Sequence, residues 1–257
     1  METKRVLVVG GTGYLGQHLL LSLSQIKDNA PYDLAFTYHS NSNLLQPLLD
    51  AIPQSLAFHV DLVTGDGFQS IASKFGLPHV VVNCAALSVP RVCEKDPDAA
   101  MSINVPNSLV NWLSSFEERD TLLIHLSTDQ VYEGSWPNFA ILRSSIIFGP
   151  QTISPVPKSL PIQWIDGVLS KKEQVEFFHD EFRCPVYVKD VVTIILSLIN
   201  KWVIEGKQMK LLLNVGGPDR VSRVQMAETV AHVRGYSTSL IKQVSASSVY
   251  RGSLIAS

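Results

Sequence analysis

The feature that most constrains the fold is the run Val6-Leu7-Val8-Val9-Gly10-Gly11-Thr12-Gly13-Tyr14-Leu15-Gly16. Four apolar residues, mostly valine, read as a strand buried on both faces. A glycine turn follows at once, and Gln17-His18-Leu19-Leu20-Leu21-Ser22-Leu23 continues at helical spacing. Strand, glycine turn and helix in that order make a phosphate-binding arrangement. The turn lets backbone approach a pyrophosphate, and the helix N-terminus offers N–H groups and a partial positive charge. The turn fits Gly-x-Gly-x-x-Gly from Gly11 and Gly-x-x-Gly-x-x-Gly from Gly10. Its place after a strand and before a helix predicts a dinucleotide site rather than a plain tight turn.

Strands and helices then alternate. Residues 34–38, 56–60, 80–83, 122–127 and 139–143 read as the second to sixth strands, with helices near 44–51, 68–75 and 97–116. Asp96-Pro97 supplies a helix start. The alternation implies an α/β fold: a Rossmann-type, doubly wound parallel sheet with right-handed crossovers. Residues 1–149 are read as the dinucleotide-binding domain. Residues 150–257 are read mainly as a smaller C-terminal substrate lobe, partly interleaved with the sheet. Hydrophobic content of 46% against 17% charge fits a globular chain. A net charge of −2 without a basic run argues against nucleic acid or an anionic membrane as partner. The most apolar helical stretch, near 191–198, is too short to span a bilayer. Cys84, Cys93 and Cys184 have no metal-binding spacing and fit free thiols in a reducing compartment. Met1-Glu2-Thr3-Lys4-Arg5 runs straight into the first strand without a leader pattern, so the expectation is a cytoplasmic protein.

Ligands in such sheets bind beyond the carboxyl ends of the strands. Tyr38-His39-Ser40 follows the second strand and contains no acid for a ribose 2′-hydroxyl, which points to NADP. It contains no arginine either, so NAD stays open. Asp61-Leu62 could meet the adenine or cap a turn. Cys84-Ala85-Ala86 leaves room for a flat ligand or for close packing. The hydroxyls of Ser127-Thr128-Asp129 could bond a substrate oxygen or satisfy turn backbone. His18, His59, His79 and His125 read as core residues rather than bases.

These residues carry a resemblance. Gly10 to Gly16, Asp61-Leu62, Asn83-Cys84-Ala85-Ala86 and Ser127-Thr128-Asp129-Gln130-Val131-Tyr132 resemble the extended short-chain dehydrogenases/reductases. Within that family the chain is similar to the branch of dTDP-4-dehydrorhamnose reductases and the regulatory β subunits of methionine adenosyltransferase. Cys93-Glu94, Asp96-Pro97, Ile103-Asn104-Val105, Leu142-Arg143, Phe148-Gly149, residues 185–190 and Asn214-Val215-Gly216-Gly217 with Val221-Ser222 extend the likeness over nearly the whole chain. The resemblance implies a nicotinamide cofactor held by Gly10, Thr12, Gly13, Tyr14, Leu15, Gly16, Tyr38, His39, Ser40, Asp61, Leu62, Cys84, Ala85, Ala86 and Asn104. It implies Thr128, with Ser127 beside it, polarising the carbonyl of a nucleotide-linked 4-keto sugar. The other branch implies a methionine adenosyltransferase catalytic subunit as partner.

The family's proton donor is a Tyr with Lys four residues later. None of Tyr14, Tyr32, Tyr38, Tyr132, Tyr187, Tyr236 and Tyr250 has Lys in that place. The family carries the pair on the helix between the fifth and sixth strands. Here only residues 129–138 lie between those strands, and they include Gly134 and Pro137. A parallel crossover normally takes a dozen or more residues and a helix. The pattern therefore reads as the family with one crossover helix missing, and reductase chemistry is expected to be impaired. Residues 250–257 also depart from the family's closing helix. A missing helix should uncover one face of the fifth strand and favour a homo-oligomer.

Overall fold

The computed structural model describes residues 3–26, 32–40, 42–116, 120–127, 136–156 and 160–248. They form two compact units. The larger comprises Met1–Ser144, Pro150–Val156 and Val188–Val215, and the smaller Ser145–Gly149, Pro157–Tyr187 and Gly216–Ser257.

The larger unit is built on a seven-stranded parallel sheet. Its strands are β1 (Arg5–Val9), β2 (Asp33–Tyr38), β3 (Leu56–His59), β4 (Val80–Asn83), β5 (Leu122–Ser127), β6 (Phe139–Ser144) and a seventh, Lys210–Val215. Their order is Lys210–Val215, β6, β5, β4, β1, β2, β3. β1 pairs with β2 on one side and β4 on the other, so the order reverses there, which is where sheets of this kind hold ligands. The helices are α1 (Tyr14–Ser24), α2 (Leu45–Ala51), α3 (Phe68–Lys74), α4 (Pro90–Lys95), α5 (Pro97–Asn104), α6 (Asn107–Ser114) and Val188–Val203. The α/β, doubly wound reading of the sequence holds, and β6 pairs parallel to β5 as the crossover argument requires.

Two details depart from expectation. The predicted helix over 97–116 is two helices. Asp96 caps the first, accepting from the Ala99 amide at 3.0 Å with Pro97 in the first turn. Val105 then turns extended ahead of Pro106, which supplies no N–H to continue the ladder. The exposed face of β5 is the second correction. Leu122, Leu123, Ile124 and His125 are all buried. The reason is Trp136, which lies just before β6 and is 3% exposed. It joins Leu123, Leu109, Trp112 and Leu113 in one core cluster, and its Nε1 donates to the Thr121 carbonyl at 2.9 Å. One indole thus fills space under β5, and α6 with its Trp112–Phe68 stack closes the same layer. On the other face Val188–Val203 packs on β5 and α1. The apolar surface that motivated self-association is absent among the described residues.

The smaller unit has its own core, in which Ile165 and Leu169 of the Pro161–Leu169 helix meet Phe177 and Val224, Ala227 and Ala231 of the Arg223–Arg234 helix. Ser222 and Gln225 form a reciprocal capping box at the start of the latter.

Since Trp136 is buried in the cluster beside β5, Trp136→Ala should destabilise the fold by about 3–5 kcal/mol. Urea unfolding measures this, and a loss under about 1 kcal/mol would show that the β5 layer is closed by something else.

Candidate functional site

The glycine turn lies at the reversal point of the sheet, and its glycines answer to different neighbours. Gly10 has φ +76°, and a Cβ there would stand 2.9 Å from the Ala85 backbone at the exit of β4. A Cβ on Gly11 would meet Phe36 at 2.5 Å, and one on Gly16 would meet the Gly10 carbonyl at 2.5 Å. These three are demanded by the fold itself. Gly13 differs: an added Cβ would meet only the Gly10 carbonyl, at 3.1 Å. Gly13 caps α1 in an extended conformation, and no side chain caps that helix. A helix start without a side-chain cap, placed after a glycine turn at the carboxyl edge of the sheet, is the kind of place where phosphate groups are held. Thr37 on β2 fixes the turn: its Oγ1 accepts from Gly10 N–H at 3.0 Å and its carbonyl from Gly11 N–H at 2.9 Å.

One face of α1 is tied to residues 150–154. Tyr14 Oη donates to the Pro150 carbonyl at 3.0 Å, and His18 Nε2 lies 3.2 Å from the same oxygen. Gln17, 1% exposed, donates to the Thr12 and Ser154 carbonyls and accepts from the Ser154 amide. Desolvation holds the His18 ring below its usual range, opposed by its Pro150 hydrogen bond. Thr12 and Leu15 are buried beneath the turn.

The strand ends can be placed one by one. Tyr38 ends β2, and His39 and Ser40 are exposed just beyond it. Asp61 shapes its own turn, its Oδ1 accepting from the Val63 amide at 2.7 Å. Leu62 packs against the core, and its carbonyl accepts from the Ser108 hydroxyl. At the end of β4, Asn83 Oδ1 accepts from the Ala85 amide at 3.1 Å. That fixes its Nδ2 toward His125 Nδ1, 3.1 Å away. Burial pushes the His125 imidazole down to about 4 and the Cys84 thiol up to about 12. Both stay neutral, and the pair sets the path of Cys84-Ala85-Ala86 beside the glycine turn. Asn104 pins the same loop from α5, accepting from the Leu87 amide at 2.8 Å and donating to its carbonyl at 2.9 Å. Ser127 ends β5 half-buried, opposite Arg143 of β6 in the ladder. The Arg143 Nε is buried with no partner among the described residues. Thr128 lies outside the described residues. No group of three or more metal-ligating side chains occurs among the described residues, and no described helix is long and apolar enough to cross a membrane.

The sequence reading missed Thr37, Gln17 and His59. Gln17 lies three residues after Tyr14 on the apolar face of α1, where a polar side chain needs a partner; that spacing was a usable signal. His59 is not a core residue: it is exposed at the end of β3. His125 is in the core, as expected.

Comparison with known proteins fits this geometry. The family described as "RmlD substrate binding domain" matches residues 4–140, more than half of the chain. "Methionine adenosyltransferase 2 subunit beta" of Pongo abelii is 24% identical over 97% of this chain and 78% of its own length. That alignment runs over 279 residues although this chain has 257, so the relative carries residues this chain lacks. "Probable low-salt glycan biosynthesis reductase Agl14" of Haloferax volcanii is 22% identical over 91% of this chain and 82% of its own. Among solved structures, dTDP-4-dehydrorhamnose reductase of Bacillus anthracis, in complex with NADP, superposes with a TM-score of 0.69 at 17% identity, covering 96% of this chain and 86% of that one. UDP-glucuronic acid 4-epimerase of Bacillus cereus, with UDP-glucuronic acid and NAD, gives 0.72 at 16%, covering 94% and 86%.

The Asn83–His125 pair makes the fold acid-sensitive. The unfolded chain takes a proton on this ring near pH 6.5, the folded one only near pH 4. The unfolded state thus binds more protons in that window, so stability falls as pH drops from 6.5 to 4, by about 3 kcal/mol at most. The carboxylates titrate in both proteins, so the difference between wild type and His125→Gln isolates the ring. Urea midpoints should fall less steeply with pH in the variant; parallel slopes would remove His125 from the account.

Proposed function

Because the chain belongs to the RmlD substrate-binding-domain family, we propose that it binds a nicotinamide dinucleotide on its larger unit, NADP in preference to NAD. We propose further that it reduces a nucleotide-linked 4-keto sugar poorly or not at all as it stands. The observation that carries the reading is Gly13. A Cβ at Gly10, Gly11 or Gly16 would come within 2.5–2.9 Å of a neighbour, whereas one at Gly13 would meet only the Gly10 carbonyl, at 3.1 Å. An uncapped helix start beside it completes a site for a diphosphate.

A bound nicotinamide would supply the hydride. The chain's own part is to hold and orient: first-turn amides of α1 on the diphosphate, Tyr38 to Ser40 at the adenosine ribose, and Ala85 and Ala86 along the dinucleotide. Thr128, Ser127 and the Arg143 cation are the groups proposed to polarise a substrate carbonyl. What the sequence lacks is the positioned acid, since no Tyr has Lys four residues later. General acid catalysis contributes about 10²–10⁴-fold, so its loss separates binding from turnover. The second reading is a non-catalytic regulator of a methionine adenosyltransferase catalytic subunit, favoured by a likeness to its β subunit over 97% of the chain. The cytoplasm suits either role.

Calorimetric titration with NADP and NAD tests the site. Binding of at least one is expected, and Gly13→Ala, whose Cβ would meet the Gly10 carbonyl at 3.1 Å, should weaken it about tenfold or more in protein that circular dichroism shows to be folded. Loss of binding together with loss of the fold, or no binding by wild type, would contradict the assignment. With NADPH and dTDP-4-keto-rhamnose, turnover should fall well below about 1 s⁻¹; an ordinary rate would mean that another residue delivers the proton.

A further inference from the structure

One buried amide side chain joins the glycine turn to a stretch of chain 137 residues away. Gln17 Nε2 donates to the carbonyl of Thr12, the residue before Gly13, at 3.0 Å, and to the Ser154 carbonyl at 3.1 Å. Its Oε1 accepts from the Ser154 amide at 2.9 Å. Gln17, Thr12 and Ser154 are all buried. Tyr14 and His18 flank Gln17 on the same face of α1, and both meet the Pro150 carbonyl. Thr152 Oγ1 donates to the Ser154 carbonyl at 2.7 Å, within the stretch itself. Pro150–Val156 belongs to the larger unit, although the chain on either side of it belongs to the smaller. Residues 150–154 are therefore a strap laid along α1 and fastened at Pro150 and Ser154.

Resting on the dinucleotide reading above, we infer that Gln17 is a positioning residue for the dinucleotide site, and that docking of the 150–154 strap on it regulates dinucleotide affinity. Gln17 acts through Thr12. If the strap lifts, the Ser154 backbone can turn to water, but the Gln17 amide loses two of its three hydrogen bonds inside the protein. A buried donor or acceptor left without a partner costs its full desolvation penalty. To recover partners the side chain must swing out, and its bond to the Thr12 carbonyl goes with it. The contacts on the turn and on the strap therefore form and break together.

The consequence for binding has a definite sign. With the strap docked, the backbone at Thr12 and Gly13 is fixed before a diphosphate arrives. With the strap lifted, the same backbone has to be ordered during binding, and affinity falls. Coupled equilibria are reciprocal, so a bound dinucleotide favours the docked strap by the same factor. Whatever draws residues 150–154 off α1 lowers affinity for the cofactor.

Amide hydrogen exchange of the full chain, with and without saturating NADP or NAD, tests the inference. The Ser154 amide is the reporter. The Ser115 amide, bonded to the Asn111 carbonyl at the end of α6, is the reference for overall stabilisation by a ligand. The dinucleotide should slow exchange at Ser154 about tenfold more than at Ser115. In Gln17→Met that excess should vanish and affinity should fall about tenfold. Thr152→Val loosens only the strap, so it should lower affinity and the excess together, and add nothing in the Gln17→Met background. It decides the matter alone if Gln17→Met does not fold. Saturable binding that slows Ser154 and Ser115 equally, or a Thr152→Val protein with wild-type affinity and wild-type excess, overturns the strap while leaving dinucleotide binding standing. Binding of neither dinucleotide by the wild type overturns the dinucleotide reading, and this inference with it.

Discussion

Backbone closeness at the exits of β1, β2 and β4 is the constraint on which the rest depends. Gly10 lies so near the Ala85 backbone, and Gly11 so near Phe36, that a single Cβ at either position would overlap its neighbour. That closeness seats the start of α1 at the point where strand order reverses. Thr37 fastens the turn to β2, and the Asn83–His125 pair fastens the facing loop from β4 and β5. The start of α1, with no side-chain cap, then lies beside the ends of β1, β2 and β4. The glycine motif is thus first a packing device.

How much of this was legible depended on the range of the forces involved. β4 and β5 were placed to the residue because a continuous apolar run has few alternatives. The α5 start at Asp96-Pro97 was legible because capping is local. The break at Pro106 was equally local, and was overridden by reading the apolar periodicity of 97–116 as one helix. Trp136 was beyond reach, because its role depends on packing against Leu109, Trp112 and Leu113, which lie more than twenty residues earlier in the chain. His59 failed for the opposite reason. Its strand position suggested an inward side chain, but β3 is the edge strand, where alternate residues face water. The seventh strand, Lys210–Val215, lies at the other edge with alternating exposure and did not declare itself as a buried run.

The site separates into parts with different fates in this chain. The phosphate turn and the strand ends that would hold a dinucleotide are all present. No Tyr of the sequence has Lys four residues later. Binding and chemistry are therefore independent properties here. Trp136 fills space beside β5, packed in one cluster with Leu123, Leu109, Trp112 and Leu113.

The central claim is that the first turn of α1 beside Gly13 receives a dinucleotide phosphate. Amide resonances followed during titration with NADP test it most directly. The account predicts that the Gly13, Tyr14 and Leu15 N–H signals shift together and saturate with the binding isotherm, accompanied by signals at 38–40. Saturable binding that leaves the amides of 13–15 unmoved, with shifts confined to other parts of the chain, would contradict it.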